Sequence, residues 1–195
     1  MQRILVIFFL IGLFVGCASP KAVPVKYTLD DSRKYVPINL NITSDKNHPN
    51  YDSQAVDYIY ESLNRSNLFS RIRTSRNKYQ YSLNINYSWE NPMTLNAFAG
   101  AMISASTMLL IPTKNQEMHS IDVQILDGKE VIYSSIYNKL ITTTFSMYHN
   151  VIEDRKNGIN RILREFYEDI EVNKLIPRNS ELNSSVNTVA NEVSD

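Results

Sequence analysis

Polar and apolar residues alternate along several stretches of this chain and repeat at helical spacing along others. In "VPINLNI", Val36 to Ile42, the apolar Ile38, Leu40 and Ile42 alternate with Asn39 and Asn41. A period of two buries one face and wets the other, which predicts a strand. "NHPN" then breaks the chain. From Tyr51 to Asn67, Val56, Ile59, Tyr60 and Leu63 fall on one stripe of a helix. Asn50 is placed to cap that helix and Asn67 to end it. Phe69 to Thr74 predicts a short strand, and "YQYSLNINYSW", Tyr79 to Trp89, gives the clearest alternation. "HSIDVQIL" and "KEVIYSSIY" flank Asp127-Gly128, a pair suited to the positive φ of a tight hairpin turn. The second arm runs on, with a bend, through "KLITTTF". A closing helix from Ser146 to about Lys174 is marked by Val151, Ile152, Ile159, Ile162, Leu163, Phe166 and Ile170. Gly158 is a weak point inside it, and Pro177 stops the pattern.

The resulting order is β-α-β-β-(α)-β-β-α. It predicts an α+β fold, a mainly antiparallel sheet of about five strands with two or three helices packed on it. The bracketed element is "LNAFAGAMISASTMLLIP", Leu95 to Pro112, which carries no charge. As a helix of about 17 residues it is roughly 25 Å long, short of the ~30 Å hydrocarbon core of a bilayer. Phe98, Met102, Ala105 and Leu109 form one stripe; Gly100, Ser104 and Thr107 form a small-residue face. Three readings stay open. The first, which the length favours, is a buried helix or crossover packed on the sheet. The second is a membrane-dipping or oligomer-forming segment, and the third a continuation of strand through "TMLLIP".

The amino terminus adds an address. Arg3 precedes an uncharged apolar run from Ile4 to Val15. Its length fits a signal-peptide core of about 7–15 residues and not a span of about 20. Gly16 supplies a small residue, and Cys17, the only cysteine, follows it. Phe14, Val15, Gly16 and Cys17 resemble the lipobox of bacterial lipoproteins, with Phe14 where leucine is usual and Leu13 beside it. The resemblance implies cleavage between Gly16 and Cys17, and diacylglycerol and an N-acyl chain on Cys17, with no other cofactor. Because Ala18 and not Asp follows the cysteine, it also implies the outer membrane, at its periplasmic face. The expected organisation is a signal peptide at 1–16, a lipidated tether at 17–34, one domain at 35–176 and a disordered tail at 177–195. The element order, and "YIYESLNRSNLFSRI" in particular, resembles the small α/β domains of envelope lipoproteins. Examples are the curli-secretion-type lipoproteins and the amino-terminal domain of the Tol-system propeller protein.

Charge and chemistry narrow the function further. Lys and Arg number 20 and Asp and Glu number 20, which gives no general field for nucleic acid. A lone thiol avoids stray disulfides in an exported, oxidising compartment. His48, His119 and His149 lie far apart, with no paired metal-ligand spacing. No Gly-x-Ser-x-Gly elbow or glycine-rich phosphate loop is present. Asp30-Asp31 and Glu168-Asp169 read as solvated pairs. Arg71, Arg73, Arg76 and Lys78 are candidates for contact with an anionic partner; the alternative is an edge strand guarded by charge. Tyr79, Tyr81, Tyr87, Tyr133 and Tyr137 read as packing and not as a ligand groove.

The expectation is therefore a non-enzymatic, lipid-anchored envelope protein that binds another envelope protein as an assembly or accessory factor. The alternative is an oligomeric membrane-active or transport-complex subunit using segment 95–111, centred on Phe98, Gly100, Met102, Ser104 and Leu109. The expected partners are membrane lipid through the anchor and an envelope protein, with a homo-oligomer open and no nucleic acid.

Overall fold

The computed structural model describes residues 20–44, 52–74, 79–91, 95–107 and 111–182. The elements run β1 (Ile38–Ser44), α1 (Ser53–Ser66), β2 (Ile72–Arg73), β3 (Tyr81–Glu90), α2 (Leu95–Ser106), β4 (Thr113–Asp127), β5 (Glu130–Phe145) and α3 (Val151–Asn173). This is the predicted α+β order. The strands form one sheet, β2-β1-β3-β4-β5. β1 runs parallel to both β2 and β3, while the β3–β4 and β4–β5 pairs are antiparallel.

One face of the sheet carries the core. Ile38 and Leu40 of β1, Leu83, Ile85 and Tyr87 of β3, and Ile121, Val123 and Ile125 of β4 point into it. Ile59 and Leu63 of α1, with Ile159, Ile162, Phe166 and Ile170 of α3, close over them. The predicted stripes pack in part: Ile59 and Leu63, with Ile159, Ile162, Leu163, Phe166 and Ile170, are buried, whereas Tyr60 and Ile152 are exposed and Val56 is half-buried. Among the described residues no helix covers the opposite face, and Asn41, Asn86 and Ser88 are exposed there.

Local chemistry sets the ends. Asp52, not Asn50, caps α1: its side chain accepts from the Ala55 amide at 3.1 Å. Asn50 lies outside the described residues. Asn67 ends the helix at φ 60°, the left-handed conformation expected of it. In the hairpin the loop residues are Gly128-Lys129, since Asp127 pairs with Glu130. Gly128 alone takes positive φ there (+59°), the pattern of a turn with glycine first. β5 continues through "KLITTTF" to Phe145, as expected, with a register shift at Ile125/Leu126.

Four further readings are corrected. β4 begins at Thr113, six residues before the predicted His119, because Thr113 to Met118 pair with Phe145 to Leu140 of β5. Gly158 is a point of close approach: a Cβ there would overlap Cγ1 and Cδ1 of Ile141 on β5. The segment expected as a tether is laid down on the helices from residue 20 onward. Its Ala22 is buried, the Tyr27 amide donates to the Ser66 carbonyl at 2.9 Å, and the Tyr27 and Tyr167 rings meet edge-on. Finally, the first residues of the expected tail are packed. The Val36 amide donates to the Pro177 carbonyl, and Arg178 bridges to Tyr35. Residues 183–195 lie outside the described residues.

Candidate functional site

The strongest polar constellation lies where β4 passes under the first turns of α3. Arg155 donates from Nε and Nη2 to the two oxygens of Glu117, at 2.8 and 2.9 Å. His119 Nε2 stands 3.1 Å from Glu117 Oε2, and His119 Nδ1 is 2.8 Å from the Tyr87 hydroxyl. The Arg155 guanidinium also lies 4.3 Å from the centre of the Trp89 ring and 3.5 Å from Asp52. Burial pushes the Glu117 carboxyl up. Bonds from His119 and Arg155, and the guanidinium's charge, outweigh that and hold it down at about 2. An ionised Glu117 only accepts, so His119 Nε2 carries its proton. Burial pushes the Tyr87 phenol well above its ordinary value, so it keeps its proton while hydrogen-bonded to His119 Nδ1.

The chain of hydroxyl, imidazole and carboxylate looks like acid–base machinery, but it is sealed. Tyr87 and His119 are 0% exposed and Glu117 is 1% exposed. The arrangement ties α3 to the sheet. Sequence reasoning missed Glu117 and Arg155. Their 38-residue separation leaves no local signal.

His149 and Asp169 are also engaged within the fold. His149 bonds Asp154 at 2.6 Å. Asp169, read from sequence as a solvated acid, accepts from Tyr137 at 2.6 Å and Tyr133 at 3.0 Å; Glu168 is exposed as expected. Tyr87 and Tyr137 are buried, in keeping with a packing role. Among the described residues, no cluster of His, Cys, Asp and Glu could hold a metal. An open cleft of about 580 Å³ lies between α3, β5 and the start of the described chain, lined by Pro20, Val23, Leu140, Thr142, Arg161 and Arg164.

The two edges of the sheet differ sharply. β2 is two residues long, and Arg71 and Arg73 sit there, the first exposed and the second half-buried. Arg76 and Lys78 lie outside the described residues, as do Gly16, Cys17 and Leu109. The opposite edge, β5, is 16 residues long. Its outward positions include Ile132, Ile136 and Leu140, all exposed, with Ile136 at 62%. Met118 of β4, also exposed, pairs with Leu140. Between Glu130 and Phe145 no charged side chain points to the bare face, because Lys139 turns inward to pair with Glu165.

A second apolar surface is formed by α2. The uncharged segment is a helix, as one reading held, but it is not buried: Phe98, Met102 and Ile103 are each more than half exposed. Gly100 faces β4, where a Cβ would stand 3.5 Å from Thr113 Cγ2. Ser104 is in the same helix. No described helix is long and apolar enough to cross a membrane.

No family model and no curated protein matches the sequence. Solved structures with some likeness include bacterial lipoproteins of small α/β fold. A minor lipoprotein from Acinetobacter baumannii is 11% identical, with TM-score 0.41, over 77% of this chain and 98% of that one. Rare lipoprotein B from Shewanella oneidensis is 15% identical, with TM-score 0.35, over 69% and 97%. A PelC dodecamer from Paraburkholderia phytofirmans is 12% identical, with TM-score 0.37, over 71% and 90%. Likeness at this level carries no information about ligand, activity or assembly.

Proposed function

We propose that this protein is a lipid-anchored lipoprotein of the bacterial envelope, held through Cys17 at the periplasmic face of the outer membrane. Its domain is a non-enzymatic binding module for another envelope protein. The anchor reading is supported by Phe14-Val15-Gly16-Cys17 and the short apolar core before it.

The observation that carries the binding reading is the contrast between the sheet edges. Exposed edges invite strand pairing, and proteins guard them by shortness and charge. β2 has both protections. β5 is long, uncharged on its bare face and lined with Ile132, Ile136 and Leu140. Such an edge suits an added strand, with main-chain bonds giving affinity and alternate side chains giving specificity. The sealing of the Tyr87–His119–Glu117 chain supports a module that binds without catalysing.

In-cell photo-cross-linking from Ile136, with Arg71 as the comparison site, tests this. The expected result is a discrete adduct with an envelope protein, or with a second copy, from Ile136 and none from Arg71. Equal or absent cross-linking at both sites would overturn the reading.

A further inference from the structure

The exposed apolar side chains of α2 belong to one end of the domain. Gly100 packs α2 on Thr113, and Thr113 pairs with Phe145 at the open end of the β4–β5 hairpin. Met147 and Tyr148 follow Phe145, and Ile152 stands in the first turn of α3; all four are exposed. With Phe98, Met102, Ile103 and Ile111 they make an apolar cap of a kind that soluble surfaces rarely leave bare.

The described chain enters beside this same end. The Ala22 amide donates to Glu153 Oε2 at 2.6 Å, and Asn157 Nδ2 donates to the Pro20 carbonyl at 3.4 Å. Both partners lie within the first two turns of α3. Cys17 is three residues before Pro20, so it stays within about 11 Å of it. A lipid on Cys17 therefore holds this end, and not the Gly128 hairpin turn, near the bilayer. The distance along β4 from Thr113 to Asp127 is about 46 Å at ~3.3 Å per residue.

Charge agrees with that orientation. Glu153, Asp154 and Asp52 are already engaged by Lys156, His149 and Arg155. Lys21 and Lys114 are exposed, as is Glu90 at the end of β3.

We propose that this end of the domain, centred on Phe98, Met102 and Ile103, lies against the bilayer, its apolar side chains entering the headgroup region. The proposal rests on the lipid-anchor reading. α2 is about 18 Å long, too short to span ~30 Å, so it lies in the interface plane. It sets the orientation of the domain, which presents β5 sideways to a partner.

The test uses the mature protein in phosphatidylethanolamine–phosphatidylglycerol vesicles, with an encoded fluorescent amino acid at Ala105 or at Lys129. The proposal expects severalfold stronger emission at Ala105 than at Lys129, quenched by nitroxide-bearing lipid. Phe98→Asp with Ile103→Asp should bring Ala105 down to the Lys129 level while the protein still floats with the vesicles. Equal signals at both sites overturn the proposal. So does an enhanced Ala105 signal that lipid quenchers do not touch, since α2 then rests on protein. The intact mass of the same sample reads the anchor separately. An unacylated chain whose Ala105 still reports lipid removes the anchor reading and keeps the surface; an unacylated chain that does not float removes both.

Discussion

Arg155 on α3 grips Glu117 on β4 with two hydrogen bonds, 2.8 and 2.9 Å long, in a site where Glu117 is 1% exposed. Removing one partner of a buried pair leaves an uncompensated charge, at a cost of about 3–5 kcal/mol. Arg155→Met should lower stability by about that amount in urea unfolding. Pairing it with Glu117→Leu should recover much of the loss, because a matched apolar pair carries no stranded charge.

The same pair sets the response to acid. The folded-state carboxyl of Glu117 sits at about 2, below its ordinary 4.5. A depressed carboxyl favours the folded state fully above the unfolded value and loses that contribution as pH falls toward the folded one. Stability should therefore fall between about pH 4.5 and pH 2, measured by circular dichroism in urea. Glu117→Gln should flatten the slope in that window. An unchanged slope would show that other carboxyls govern the acid response.

Gly158 tests the packing of α3 on β5. Alanine is favoured in a helix interior by about 1 kcal/mol. Its methyl group would nevertheless collide with Ile141, whose β-branched side chain is stiff at χ1. Overpacking of this kind costs about 1–3 kcal/mol. Gly158→Ala should be net destabilising in the wild-type background and closer to neutral beside Ile141→Ala. A double-mutant cycle in urea reads this coupling.

The two helix caps should differ in worth. Asn150 caps α3 through the Ile152 amide and is exposed to solvent, while Asp52 caps α1 and also faces Arg155 at 3.5 Å. Loss of a cap costs about 1 kcal/mol. Asp52→Ala should exceed Asn150→Ala in urea unfolding, and Asp52→Asn, which keeps the cap but not the charge, should fall between.

Much of the architecture was legible where side-chain period and backbone geometry agree. The alternation in Tyr79–Trp89 contains β3, Ile59 and Leu63 of the predicted stripe lie on the buried face of α1, and Gly128 turns the hairpin. What stayed hidden depended on partners distant in the chain. Glu117 interrupts the apolar alternation, and its burial is made tolerable by Arg155 from α3 together with His119, so the start of β4 carried no strand signal. Pro20 to Lys34 looked like a polar tether because its order comes from α1 and α3. The uncharged stretch at 95–112 suggested burial, yet Phe98, Met102 and Ile103 of α2 are turned outward, consistent with a role in contact. The anchor reading rests on a linear motif, Phe14 to Cys17, that lies outside the described residues; the contrast between β2 and β5 required strand order.

The central claim is that lipid on Cys17 holds this domain at a membrane. The most direct test is the intact mass and amino-terminal sequence of the protein purified from membranes. The account predicts a chain that begins at Cys17, carries diacylglycerol and an N-acyl chain, and leaves the membrane fraction unprocessed or mislocalised when Cys17 is replaced by serine. A mature protein that begins elsewhere, bears no acyl mass and fractionates the same way with Cys17→Ser would contradict it.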